Sequence, residues 1–261
     1  MINFSQLNEI QILMFGLILL RMTAFVVSSA IFSSPSINVV VKVLFSVVLT
    51  LCVYKSVATN EVVARLSETE DQLILLCVRE LFLGLVLGFF TRIFFFALSM
   101  GGEIVSLSMG LSQGQIFNPM MGSMGNAVEQ FYVAIGTLLF LMLNGHHMLI
   151  QGIVKSFSIS ALAVSSYNIS SFSEIVLKAQ DFFVLGIQIA APILISMIIV
   201  QVGVALLSRA VPQINVMVTS ASVATLLGFV ILFISLPLLV MQMTGLLNLT
   251  ATEFFKFIKV L

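Results

Sequence analysis

The sequence predicts an all-α protein of the membrane class, and three observations carry that expectation. First, 60% of the 261 residues are hydrophobic and only 8% charged, with a mean hydropathy of +1.19. An ordinary soluble domain is about half apolar and about a quarter charged. Too few charged side chains are present to cover a water-facing surface of this size, so most of the surface must face lipid or other protein. Second, the apolar residues gather into runs of about 20 or more, the length a helix needs to cross about 30 Å of hydrocarbon. Third, the polar punctuation between the runs is short, apart from one long stretch that is irregular yet uncharged.

Six runs predict about six long helices: 10–31, 37–58, 73–100, 129–153, 182–207 and 216–244. The first follows Glu9, with no Lys or Arg before it and no small-residue cleavage pattern after it, so it reads as a retained helix and not a signal peptide. Ser33-Ser34-Pro35-Ser36 ends it, and the charged stretch from Glu61 to Asp71 ends the second. The third carries Gly84 and Gly88 four apart on one face, with Glu80 one turn earlier. Small residues at that spacing let two helix backbones approach closely. The Ser-rich segment 156–173 separates the fourth helix from the fifth, and Arg209 to Asn215 separates the fifth from the sixth. Pro192 and Pro237 fall inside the last two runs, where a missing N–H and a ring clash predict kinks. The tail from Thr250 to Leu261, with Lys256 and Lys259, reads as a short amphipathic piece. Lys55, Arg65, Lys155, Lys178, Lys256 and Lys259 fall on one side of this arrangement and chiefly Lys42 and Arg209 on the other, which places both termini in the cytoplasm.

Several function classes are disfavoured. Formal net charge is zero and no basic run occurs, so phosphate neutralisation by a concentrated basic face, and with it nucleic-acid binding, is not indicated. No GxSxG, P-loop or HExxH motif is present, nor an acidic pair spaced for acid–base work, so the chain reads as non-enzymatic with no cofactor. Cys52 and Cys77 lack CxxC or Cys/His spacing and read as packing residues. His146 and His147 follow Asn144-Gly145. Adjacent helical residues point about 100° apart, which disfavours a shared metal and favours a hydrogen-bonded histidine. No repeat of fixed period occurs.

The ionisable groups inside apolar runs are Arg21, Arg79, Glu80, Arg92, Glu103, Glu129, His146, His147 and Arg209. Each is expected to face a partner or a watery cavity, as a structural pair or as part of a proton relay. The most informative segment is 109–126. No charge lies between Glu103 and Glu129, while four glycines and one proline argue against a continuous helix. Irregular backbone cannot face lipid, and a loop in open water usually carries charges. Two settings remain: a turn buried at a subunit contact, or the lining of a channel, where soft Met side chains close around variable shapes.

Ser208-Arg209-Ala210-Val211-Pro212-Gln213-Ile214-Asn215-Val216, with Asn144-Gly145-His146-His147, Met109-Gly110-Leu111-Ser112 and the Glu80/Gly84/Gly88 spacing, resembles the family of the flagellar export-gate protein FliR and its injectisome counterpart SctT. The resemblance covers nearly the whole chain, and the MGLSQ and GQIFNP runs are more similar to the flagellar branch. It departs in lacking a proline near residue 221 and in being Ser-rich over 160–170.

The resemblance implies a single export-gate domain over 1–261, with a P-like part at 1–174 and a Q-like helical hairpin at 175–261. Its kinked helices would form hairpins within a hetero-oligomeric helical gate of P-type and Q-type subunits (FliP, FliQ), joined by the B-type and A-type export proteins (FlhB, FlhA). That gate would sit in the bacterial inner membrane, held by the basal-body ring largely above the bilayer plane, and pass unfolded proteins. The plug would be the loop 109–126, with Met109, Gly110, Gln113, Gly114, Phe117, Asn118, Pro119, Met120, Met121 and Gly122. Glu80, Gly84, Gly88, Glu103, Glu129, Asn144 and His146 would serve assembly. Arg209, Pro212, Gln213 and Asn215 would cap the turn between the last two helices. Two rival readings are an injectisome gate subunit and a stand-alone ion-coupled transporter using Glu80, Glu103 or Glu129 at broken helices.

Overall fold

The computed structural model describes residues 9–35, 37–58, 73–111, 127–159, 162, 170–210 and 216–260. Among these the protein is all-helical, with no strand. Seven helices follow one another: α1 (Glu9–Ser28), α2 (Val39–Val57), α3 (Leu73–Ser108), α4 (Ala127–Met142), α5 (Gly145–Ile159), α6 (Ser170–Ala210) and α7 (Val216–Val260). Five contain a stretch long and apolar enough to cross a membrane, and α4 with α5 makes a sixth if the broken pair counts as one span.

The six expected runs are all helical, but four have different limits. α3 continues past Met100 through Gly101 and Gly102 to Ser108. The expected helix 129–153 is two helices, interrupted at Leu143-Asn144. α6 starts twelve residues before the expected 182, inside the Ser-rich segment. The tail is no separate piece: α7 runs unbroken to Val260. Pro192 and Pro237 both lie inside continuous helices. At 36, 41 and 45 residues, α3, α6 and α7 are about 54, 62 and 68 Å long at 1.5 Å per residue, about twice what hydrocarbon requires.

The chain divides into two compact units. The first comprises Met1–Ile93, Gly145–Val176 and Thr250–Leu261; the second comprises Phe94–Asn144 and Leu177–Leu249. In the first unit α1 is the core element. Met14, Leu17, Ile18, Arg21, Met22 and Phe25 recur at three- and four-residue spacing and are all buried. α1 packs on α2, and its other side meets the glycine face of α3. A Cβ at Gly84 would strike the Arg21 carbonyl and Ala24, and one at Gly88 would strike the Ser28 side chain and the Phe25 carbonyl. The two glycines therefore serve the close helix contact their spacing predicts.

The end of α1 is held by its neighbours. Arg92 Nε donates to the Ser28 carbonyl at 2.6 Å, and the Ala30 N–H donates to Thr91 Oγ1 at 3.0 Å. A cation at a helix C-terminus satisfies an orphan carbonyl and complements the helix dipole. In the same unit Gly152 of α5 lies against the Phe254 ring, and Phe90 stacks at 4.7 Å on Phe257 in the last turns of α7.

Candidate functional site

The second unit is organised around the last four turns of α3. Ser99 donates to Glu129, a Cβ at Gly102 would strike the Glu129 Cα and the Tyr132 ring, Leu98 fills the space beside Gly136, and Phe94 faces Phe140 at 6.2 Å. Partner numbers fall along α3 as they rise along α4, so the two helices are antiparallel. α6 lies against another face, with Phe96 on Phe183, Ala97 and Gly101 on Gly186, and Ser108 meeting Gln201. There the numbers rise together, so α6 runs parallel to α3. The consecutive glycines Gly101 and Gly102 thus face different helices, which is why a Gly-Gly pair sits within a helix and does not end it.

The segment 112–126 leaves from the end of α3 and returns at the start of α4, and both stems are fixed by specific chemistry. At the first stem the Gly110 N–H bonds to the Leu107 carbonyl and the Leu111 N–H to the Ser106 carbonyl, both at 3.1 Å. Gly110 adopts φ 78°, where a side chain is disfavoured. This pair of crossed bonds is the Schellman arrangement that ends a helix at a left-handed glycine. Two carbonyls still point off the helix end. Gln201 Nε2 of α6 donates to that of Ser108 at 3.0 Å, and Thr225 Oγ1 of α7 donates to that of Met109 at 3.1 Å. Met109 is fully buried, its side chain lying where a Cβ on Gly228 would come 2.6 Å from Cγ. At the second stem Val128 is buried and Glu129 accepts the Ser99 hydroxyl.

Of the predicted plug residues, only Met109 and Gly110 are described. Gln113, Gly114, Phe117, Asn118, Pro119, Met120, Met121 and Gly122 lie outside the described residues, as do Pro212, Gln213 and Asn215. Arg209, in the last turn of α6, is exposed. Glu103 is also exposed on α3.

In the first unit the predicted Glu80 has a partner. Arg21 Nε donates to Glu80 Oε2 at 2.5 Å with both side chains fully buried, Arg21 Nη1 reaches Ser156 Oγ at 3.2 Å, and the guanidinium lies 4.1 Å from the centre of the Phe157 ring. α1, α3 and α5 are thereby joined at one charged point.

Asn144 adopts φ 56°, and its N–H bonds to the Leu141 carbonyl at 3.1 Å, so it ends α4 in the left-handed conformation that Asn tolerates better than other side chains. His146 and His147 do not diverge as their helical positions suggest; their rings meet edge to face at 4.3 Å. Cys52, expected as a packing residue, is exposed on α2.

Sequence reasoning missed Gln201, Thr225 and Gly228. Their partners on α3 lie 93 and 116 positions away for the two hydrogen bonds, and nothing local marks them. Gly102 and Ser99 could have been found from the Glu129 position once α3 and α4 were read as a hairpin.

Residues 12–250 match the family model described as bacterial export proteins, family 1. The chain is 24% identical over 239 residues to the flagellar biosynthetic protein FliR of Bacillus subtilis, covering 90% of this chain and 91% of that one. It is 34% identical over 170 residues to FliR of Aquifex aeolicus, covering 64% and 65%. Against FliR of Buchnera aphidicola subsp. Schizaphis graminum it is 25% identical over 264 residues, with both chains fully covered. With a core helix closed on glycines, a glycine-ended stem and a family match spanning nearly all seven helices, this chain belongs to the bacterial export proteins, family 1, alongside the flagellar FliR proteins.

Proposed function

We propose that this chain is a non-enzymatic subunit of the flagellar type III protein export gate. In this reading it forms, with P-type and Q-type subunits, a passage for unfolded flagellar proteins in the bacterial inner membrane, and contacts the FlhA and FlhB components. The segment 109–126 is the plug. The observation that carries this is the contrast between an uncharged Gly- and Met-rich segment and its two anchored stems, one ended at Gly110 and the other tied through Glu129 to Ser99. A segment that must seal and then yield needs freedom in its middle and fixed ends. The relatives named FliR support the flagellar branch over the injectisome one.

The outward apolar faces support a multi-chain setting. Val39 is 69% exposed on α2, and Ile234 and Met241 are 76% and 72% exposed on α7. Helices about twice as long as a bilayer is thick suit an assembly that rises out of the membrane. The division into a P-like part and a Q-like hairpin at 175–261 belongs to this proposal, as does the role of Arg209, Pro212, Gln213 and Asn215 in capping the hairpin turn. Half-satisfying that turn with Arg209→Ala or Asn215→Ala should weaken the hairpin by about 1–3 kcal/mol and lower complex yield before secretion.

Deleting Gly110 to Gly122 tests the plug directly. The complex should still assemble, and cells overproducing it should leak ions. An assembled complex that stays tight would rule the plug out. Particle mass separates the gate from a stand-alone transporter: the gate reading requires a large hetero-oligomer, and an active monomer would sink it.

A further inference from the structure

Two cations meet at the turn that follows α1, and no described carboxylate balances them. Lys42, in the first turn of α2, donates from Nζ to the Ser33 carbonyl at 3.0 Å. Arg92 of α3 already holds the Ser28 carbonyl through Nε, and its Nη2 reaches Ser33 Oγ at 3.3 Å. Two cations donating to one serine stand at most about 10 Å apart, a separation that salt at about 0.1 M screens only in part. Neither forms an ion pair among the described residues. The end of α1 beside them offers only about half a negative charge. The turn itself is held in place, since Phe32 lies 5.1 Å from Phe45 of α2 and the Ser33 N–H bonds to the Ser29 carbonyl at 2.9 Å. Both cationic heads have N–H donors beyond these bonds, and Arg92 is exposed.

The surroundings decide which anion fits. At 19 residues α2 is about 28 Å long, matched to about 30 Å of hydrocarbon where α3, α6 and α7 overshoot it. A helical side chain leans toward the N-terminus of its own helix, and Lys42 stands in the first turn. Its ammonium therefore lies at the depth where hydrocarbon gives way to phosphate. Every exposed residue from Val39 to Leu51 is Val or Leu. Val40 and Leu44 are 61% and 59% exposed, and Val48 and Leu51 continue the same stripe. The Ser46 and Thr50 side chains are buried, with their hydroxyls bonded to carbonyls within α2. An anion at the end of the stripe and hydrocarbon along it are two parts of one kind of molecule.

We propose that Lys42, Arg92 and the Ser33 turn bind the phosphate of an anionic phospholipid, whose acyl chains lie along the Val40, Leu44, Val48 and Leu51 stripe of α2. A zwitterionic lipid brings a cation of its own to a site that already holds two, so a net negative headgroup is preferred. The site ties the adjoining ends of α1 and α2 to the boundary between hydrocarbon and water. It does not rest on the gate reading, which stands or falls separately.

Native mass spectrometry of the full chain in a neutral detergent, together with the chains that co-purify with it, tests the site. The complex is titrated with phosphatidylglycerol and, in parallel, with phosphatidylcholine. Phosphatidylglycerol should bind in preference. Lys42→Gln should weaken it roughly fivefold, the contribution of one cation near an anionic lipid surface, and Lys42→Arg should retain it. Ser33→Asp supplies a carboxylate between the two cations, so it should weaken the lipid at least as much and raise the melting temperature in lipid-free detergent. The Lys42 pair decides alone if Ser33→Asp misfolds. Lys55→Gln removes a lone cation from the other end of α2 and should change nothing.

Equal binding of the two lipids, or equal loss in Lys55→Gln, would overturn the site in favour of general surface charge. Inorganic phosphate at the concentration of the lipid should not displace it; displacement would make this a free-phosphate site and remove the acyl contact. If phosphatidylglycerol binds the parent and Lys42→Gln alike while Lys42→Gln loses a co-purifying chain, the missing anion is an acidic side chain of that partner and the lipid site falls.

Discussion

The α1–α3 contact and the α6–α7 pair are built from similar apolar sequence but spend it differently. In the span-length stretches of α1 and α3, 44% of residues are buried within this chain; in those of α6 and α7 the share is 28% and 17%. Around α1 the chain supplies its own contacts, since glycines admit the backbone and Arg21 bonds to both Glu80 and Ser156. Along α6 and α7, Ile199, Leu206, Phe233 and Ile234 are each more than 60% exposed. Lipid or other chains must cover them. One region is packed within this chain, and the other is left for its surroundings to cover. That separation matters because side chains in the two regions can then be altered independently.

The largest effect should come from breaking the charged point at α1. Arg21→Ala or Glu80→Ala leaves a buried charge uncompensated and should destabilise by about 3–5 kcal/mol, read as loss of folded protein in a detergent thermal melt. Arg21→Met with Glu80→Leu should recover most of it, and failure to recover would mean the charges do more than hold α1. Next, Gly88→Ala forces a methyl into Ser28 and should destabilise by about 1–3 kcal/mol in the same melt.

Asn144→Ala should destabilise by about 1–2 kcal/mol through left-handed strain at φ 56°, whereas Asn144→Gly should be nearly neutral; equal melts for the two would remove the strain argument. Gly203 of α6 sharpens the comparison, because none of the described residues lies within 4 Å of an added Cβ. Gly203→Ala should stabilise the subunit by about 0.5–1 kcal/mol through helix propensity. If it also lowers co-purification of partners, that face of α6 is a close contact with another chain. The smallest effect belongs to Lys256→Ala. Its side chain is 69% exposed although that of its partner Glu253 is only 11% exposed, so water screens the pair from the lysine side and about half a kcal/mol should be lost, less in high salt.

Much of this was legible in the sequence, for physical reasons that also explain the misses. Long apolar runs force helices because lipid-class surroundings leave the backbone no other partner, and Gly84 with Gly88 marked the α1 contact by spacing alone. The break at Leu143-Asn144 had a local signal too. Asn-Gly is a turn dipeptide, but embedded in a 25-residue apolar run it read as helix. Gly101-Gly102 misled in the opposite direction: glycine's intrinsic penalty pointed to an end, and packing on α4 and α6 overrode it. Ser170 to Ala179 joined α6 against its polar composition. The contacts of Gln201, Thr225 and Gly228 were invisible because a Gln, a Thr and a Gly acquire meaning only once α6 and α7 are brought to the end of α3.

The spacing along α3 has a consequence for how such chains can vary in length. Gly84 and Gly88 serve one helix contact and Gly101 and Gly102 two others, all on one continuous helix. Inserting or deleting a single residue between Gly84 and Gly88 turns one glycine by about 100° and shifts it about 1.5 Å relative to the other, so the pair no longer presents one face to α1, and the same change between Leu98 and Gly102 breaks the contact with α4. Length differences among related chains should therefore be excluded from these stretches of α3, which keep their residue count even where their apolar side chains drift freely.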